Sequence, residues 1–316
     1  MSRSVIAKAI GHRLLQAVLV ALAVGVLTFL LTGMLPGDMA FRIAAGRYGY
    51  DNVTAAAADA VRAELGLDRP AAVALGQWLL DLLRFDLGDS LVSGDPVIEE
   101  IAHQLGHSAR LALMAALLST LIGLPLGILA GLRPGGLVDR ASLVLATALR
   151  AVPQFVVGIL LILLVAVGLG ALPVAGHDSA AHGLLPALTL ALGMAAVSSR
   201  VTRDATLAVV RSPYYAFART KGLPERAAFL RHGLRNIGVP VLAYQGVQLV
   251  YLIEGVVVVE TLFAWPGIGH ALVHAVIARD VPMIQGTALV MGLTFVLLNG
   301  LVDLACAAID PRRVRA

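Results

Sequence analysis

Eight histidines, two lysines and one cysteine set narrow limits on the chemistry open to this 316-residue chain. Four of the histidines form two pairs at the helical i, i+4 spacing, His103 with His107 and His270 with His274. That spacing puts two imidazoles on one helix face, as in the zinc peptidases, but those enzymes add a glutamate beside the first histidine and neither pair has one. Three or more convergent ligands are usual for a bound metal. Each pair therefore reads as two histidines of a short interfacial helix, and no metal is assigned. A phosphate loop ends in Gly-Lys-Ser or Gly-Lys-Thr. Lys8 lies between Ala7 and Ala9, and Lys221 between Thr220 and Gly222, so neither lysine completes one. No Gly-x-Ser-x-Gly elbow offers a serine nucleophile. Cys306, being alone, can form neither an intrachain disulfide nor a cysteine metal cluster. The expectation is a chain that is not an enzyme and holds no cofactor of its own.

Two acids stand in or at the end of an otherwise apolar run, where an ionisable group is costly and normally faces a cavity or a partner. They are Glu254 and Glu260. Six residues of helix is about 600° of rotation, so the two point to different sides. Both are candidates for a substrate pathway, Glu254 as a contact for a cationic group on a cargo and Glu260 as a brace for the Phe263–Gly269 segment.

The elements that must position these residues are membrane spans. Hydrophobic residues make up 59% of the chain and charged residues 14%, against roughly 45–50% and 25% in soluble domains. Mean hydropathy is +0.86. Uncharged runs cover 14–37, 111–132, 151–177, 179–199, 236–253, 261–278 and 281–302, and about 20 apolar residues suffice to cross a hydrocarbon core as helix. The sixth run is broken by Trp265-Pro266-Gly267-Ile268-Gly269, which leaves a piece of about ten residues, the length of an interfacial or re-entrant helix. Six spans remain, and the expected class is all-α. Gly123, Gly127 and Gly131 put small residues on one face of the second span, a helix-packing pattern, while Pro125 and Pro153 are candidate kinks.

Charge orients the spans, because cytoplasmic loops collect Arg and Lys. Both ends are basic, with Arg3, Lys8 and Arg13 at one and Arg312, Arg313 and Arg315 at the other, and eight cations from Arg200 to Arg235 face only Asp204 and Glu225. The termini and the 204–240 loop are expected in the cytoplasm. The division that follows is 1–38, an N-terminal end with the first span; 39–107, an acidic segment on the outer face; and 108–316, a five-span core. A net charge of +4 and a pI near 9.6 then reflect orientation and contact with lipid, and no nucleic-acid partner is expected.

The loop itself carries the most information. In the stretch from Ser212 to Pro240, Gly222 suits a helix C-terminal cap, and Pro224 and Glu225 suit the start of the next helix. The stretch resembles the EAA-type coupling loop of binding-protein-dependent ABC importer permeases, in the peptide and nickel branch. It carries Ala218-Arg219-Thr220-Lys221-Gly222-Leu223 and Arg231-His232-Gly233-Leu234-Arg235-Asn236. The resemblance continues, in order, through Leu35-Pro36-Gly37-Asp38, Glu64 to Pro70, Asp86 to Leu91, Glu260 to Gly269 and Asp310-Pro311-Arg312. Tyr214, where an acid is common, and Thr220, where alanine is usual, depart from the pattern.

The resemblance implies a type I ABC importer (MetI-like) permease fold in a bacterial inner membrane. It also implies a second permease subunit, homologous and non-identical, two ATPase subunits that carry ATP and Mg, and an extracytoplasmic substrate-binding protein. It assigns coupling to Ala218, Arg219, Lys221, Gly222, Leu223, Arg231, His232, Arg235 and Asn236. Peptides are the expected cargo and nickel or a nickel chelate the alternative. A secondary transporter or channel without ATPase partners is the competing class, and an intramembrane hydrolase a remoter one.

Overall fold

A computed structural model describes residues 3–34, 37–49, 51, 53–65, 71–84 and 86–309. Leu35-Pro36, 66–70 and Asp310-Pro311-Arg312 lie outside the described residues, as does the side chain of Glu254. The fold is all-α. Among the described residues the only strand-like pairing is one isolated bridge between Asp89 and Pro96. Two compact units divide the chain, one within 1–108 and 266–297 and the other within 109–265 and 298–316.

In the first unit, α1 (Arg3–Met34) is followed by α2 (Met39–Tyr48), α3 (Ala55–Leu65) and α4 (Ala71–Leu83). Asp38 caps α2 by accepting from the Ala40 amide at 2.9 Å. Ala40, Ile43 and Ala44 pack on Ala58 and Val61 of α3. Arg62 reaches Asp38 at 2.6 Å and Asp59 at 2.7 Å, and Arg47 reaches Glu64 at 3.0 Å. The outer edge of the Trp78 indole lies against Gly25 of α1, where any Cβ would stand 2.2 Å from it. Two more helices begin in this unit's second segment, α12 (Ile268–Ala278) and α13 (Val281–Ile309). The apolar piece after Trp265-Pro266 is thus an 11-residue helix, close to the expected length. Its first free amide, Ile268, donates to Ser108 Oγ at 2.8 Å. Asp280 is buried between α12 and α13, where it accepts from the Leu91 amide at 3.1 Å and from Ser90 Oγ. The Asp86–Leu91 motif is therefore pinned by a residue nearly 190 positions away.

The second unit is built on α5 (Val97–Leu132), whose C-terminal part it contains, and α8 (Leu184–Val210). Gly123, Gly127 and Gly131 lie against Ser198, Thr202 and Thr206 of α8. Each is one turn from the next on its own helix, so the two backbones touch along a stripe of small residues. A Cβ at Gly127 would stand 2.4 Å from Thr202 Cβ and 2.5 Å from the Ser199 carbonyl oxygen. Pro125 lies inside α5, which runs on through it.

Between α5 and α8 the chain forms α6 (Leu137–Ala151), α7 (Gln154–Leu161) and a π-helical turn over Ile162–Gly168. Pro153 caps α7, and the two helices bend by 107° at the break. The third apolar run begins at Ala151, and the charged helix α6 precedes it from Leu137. Its charges are absorbed by packing: Asp139, 6% exposed, accepts from Arg200 Nη1 and Arg203 Nη2 at 3.0 Å each and from the Gly135 amide at 2.9 Å. Removing one partner of a fully buried pair costs about 3–5 kcal/mol. Because Arg200 and Arg203 stay 25% and 20% exposed, D139N should cost about 2 kcal/mol after allowance for solvent screening. Asp204 is 69% exposed, and D204N should cost less than about 0.5 kcal/mol. Thermal unfolding of the two variants in detergent checks the contrast, and equal shifts would contradict it.

Among the described residues, four helices are long and apolar enough to cross a membrane, within Gly11–Leu31, Val97–Leu132, Ala180–Val210 and Val281–Ala305. Two bent pairs pass together, Leu137–Ala151 with Gln154–Gly168 and Glu225–Leu252 with Gly255–Leu262, which brings the number to six if each pair is one span.

Candidate functional site

The loop after α8 folds into a hairpin. Ser212 caps α9 (Pro213–Thr220), accepting from the Tyr215 amide, with Pro213 at the first helical position, where its missing N–H costs nothing. At the other end Gly222 has φ +86°. The Gly222 amide donates to the Arg219 carbonyl at 2.9 Å and the Leu223 amide to the Ala218 carbonyl at 3.3 Å, the paired bonds of a Schellman cap. Nothing lies within 4 Å of a Cβ placed on Gly222, so its backbone angle alone demands glycine. Pro224 then caps α10 (Glu225–Ala228), a π-helical turn covers Phe229–Gly233, and α11 (Leu234–Leu262) follows without a break.

The hairpin has its own core. Tyr215, Ala218 and Ala228 are buried with Val209, Ile237 and Val241, and Leu223 and Phe229 pack on them. Burial pushes the Tyr215 hydroxyl above its ordinary pKa; the Glu225 carboxylate adds to this and Arg219 opposes it. An adjacent face of α9 is open, with Tyr214 46% and Phe217 60% exposed and the Lys221 ammonium 4.7 Å from the centre of the Phe217 ring.

The residues expected to couple thus divide by position. Ala218 is buried, Leu223 is half-buried, and both hold the hairpin together. Arg219, Lys221, Gly222, Arg231, Arg235 and Asn236 are exposed, and His232 is half-buried. Asn236 Nδ2 donates to the His232 carbonyl at 2.6 Å, which ties the second motif to itself across the π-turn. Tyr214 and Phe217 belong to the exposed face and were not among the expected residues. Their 3-residue spacing, offset by one from Tyr215 and Ala218, was the available signal.

The two acids fall elsewhere. Glu254 lies in α11, its side chain outside the described residues. Glu260 is fully buried in the last turns of α11, and its carbonyl accepts from the Trp265 amide at 2.8 Å, closing the turn over Phe263 and Ala264. A cavity of 190 Å³ opens at the α6–α7 break instead, lined by Arg150, Gln154, Gly193, Gln248, Tyr251 and Gly255 among others. In the first unit His274 lines a 400 Å³ cavity with Ser90, Glu100 and Asp280. The ring centres are 4.8 Å apart in the His103–His107 pair and 4.4 Å apart in the His270–His274 pair, and among the described residues no third ligand joins either one.

Residues 123–315, from the α5 glycine stripe through the hairpin to the chain's end, match the family described as the binding-protein-dependent transport system inner membrane component. The chain belongs to that family. Its relatives include the glutathione transport system permease protein GsiC of Pectobacterium atrosepticum, 40% identical over 95% of this chain and 96% of that protein. They also include a Brucella abortus protein named for a peptide transport system permease, 40% identical over 95% and 96%. A crystal structure of an amino acid ABC transporter with histidines superposes with a TM-score of 0.53 at 15% identity, over 67% of this chain and 94% of that one. This inner membrane component is therefore a transport permease subunit with the ABC importer permease fold, and the free-standing carrier, channel and hydrolase readings are set aside.

Proposed function

We propose that this permease moves short peptides across the bacterial inner membrane, driven by ATP that separate subunits hydrolyse. The observation that carries the proposal is the α9–α10 hairpin. It is a rigid, doubly capped element that lies outside α8 and runs into α11 without a break, and it presents Tyr214, Phe217 and Lys221 outward. Exposed aromatic and cationic anchors on a preorganised helix suit a groove in a partner. A push on α9 would pass directly into α11.

In this reading both termini and the hairpin face the cytoplasm, where two ATPase subunits holding ATP and Mg take the exposed face. A second, homologous but non-identical permease completes the pathway, and an extracytoplasmic binding protein delivers the cargo. The chain itself binds no nucleotide. Names of relatives favour peptides over nickel, since those above are named for glutathione and for a peptide. Arg219, Lys221, Arg231, His232, Arg235 and Asn236 are proposed to meet the ATPase, with Ala218, Gly222 and Leu223 shaping the surface that does so.

Proteoliposomes test the reading. The assembled importer, with its loaded binding protein outside and ATP inside, should accumulate a radiolabelled tripeptide, and the chain alone should not. Uphill uptake by the chain alone would overturn the proposal.

A further inference from the structure

The cavity at the α6–α7 break is lined by Arg150, a cation that is exposed and whose charge bears on the Tyr244 hydroxyl. Arg150 has no hydrogen-bond or ion-pair partner among the described residues. Its surroundings are built. Gln154 is wedged between Gly193 and Gly255, where added Cβ atoms would stand 3.3 Å and 2.7 Å from its amide, and it donates to the Thr189 carbonyl at 3.5 Å. Gln248 Nε2 donates to the Met194 carbonyl at 2.8 Å. Tyr251 adds a further polar group to the lining of a 190 Å³ space whose remaining walls include Leu149, Val152, Val157 and Leu252.

Depth makes the arginine unusual. The cavity meets α8 at Gly193 and Met194, the latter six residues from Arg200, the nearer arginine of the Asp139 cluster that marks the polar end of α8. Six residues of helix are about 9 Å, roughly a third of a hydrocarbon core about 30 Å thick. An arginine at that depth is costly and ordinarily faces a water-filled cavity and an anion. A guanidinium matches a carboxylate in both charge and geometry, and every peptide with a free C-terminus carries one.

We propose that the cavity at the α6–α7 break receives the carboxylate of a peptide in transit, with Arg150 as the cation that binds it and Gln154 and Tyr251 beside it. The proposal rests on the peptide-permease reading above.

Charge replacement tests it, because the chain has one cysteine. R150C would be built with C306S and assembled with the partner permease, ATPase subunits and binding protein loaded with one tripeptide. C306S alone, treated identically, reports reaction at the partners. Uptake by R150C/C306S should fall about ten-fold, the scale of one lost charge-assisted contact. A methanethiosulfonate reagent bearing a trimethylammonium group should restore most of it, and one bearing a sulfonate should restore none. Labelling should also slow while loaded binding protein and ATP are present, as it would not if the arginine served only a lipid phosphate. Undiminished uptake in R150C/C306S, rescue by both reagents or by neither, or labelling indifferent to cargo would overturn the proposal. Failure of the C306S importer to take up the tripeptide at all would remove the peptide reading, and the site with it.

Discussion

G127L should leave little folded permease in the membrane. Gly127 is in contact at two points, with Thr202 Cβ 2.4 Å and the Ser199 carbonyl oxygen 2.5 Å from where a Cβ would be. Both belong to the backbone or the stiff base of a side chain, so neither can swing away, and the remaining response is to separate α5 from α8. Separation would also lift Gly123 from Ser198 and Gly131 from Thr206. Overpacking a well-packed site costs about 1–3 kcal/mol, and losing a contact stripe two turns long should exceed that range. Association in lipid depends on such close contact rather than on apolar burial. G106A, on the same helix where nothing lies within 4 Å, is the control and should change stability by less than about 1 kcal/mol. Size-exclusion profiles and thermal unfolding in detergent read both. Equal stability of the two variants would contradict the packing of α5 on α8.

G222E should separate hydrolysis from transport while leaving insertion intact. A side chain at φ +86° strains the backbone by about 1–2 kcal/mol, and relief requires giving up the Schellman bonds of Arg219 and Ala218. The hairpin would then lose its sharp turn, and Tyr214, Phe217 and Lys221 their common face. A carboxylate beside Lys221 also reverses local charge on a basic surface. Cargo-stimulated ATP hydrolysis in the assembled importer should fall about ten-fold, the equivalent of roughly 1.4 kcal/mol, with membrane yield near wild type. G222A, which carries the strain without the charge, should fall between the two. Unchanged stimulation in G222E would remove the hairpin from the coupling path.

Glycine was the most legible residue in this sequence. The spacing of Gly123, Gly127 and Gly131 announced a helix contact, and Gly222 before Leu223-Pro224 announced a cap, because both depend on local geometry that a short stretch specifies. The all-α class and the need for several spans were legible from hydropathy alone. The helix over Leu137–Ala151, ahead of the third apolar run, was not. Asp139, Arg140 and Arg150 interrupt the apolar pattern from Leu137 onward, and only tertiary structure shows that Asp139 is neutralised by Arg200 and Arg203 from α8. Arg150 is silent for the same reason: in sequence it is one more arginine near a helix end, and its place at the cavity appears only when α6 is laid against α8. The return of 266–297 to the unit formed by 1–108 is likewise a long-range pairing, carried by Asp280 on Leu91 and by Ser108 on Ile268, with no local signature.

Phe217 offers the most direct measurement. It is the most exposed aromatic residue of the hairpin, 60% open on a face of α9 that the hairpin core leaves uncovered. With C306S to remove the native thiol, F217C in the assembled importer should form a short-range cross-link to an ATPase subunit, and the linked complex should lose cargo-stimulated hydrolysis until the bond is reduced. A cross-link to the extracytoplasmic binding protein instead, or none to an ATPase subunit in a complex that still transports, would contradict the account.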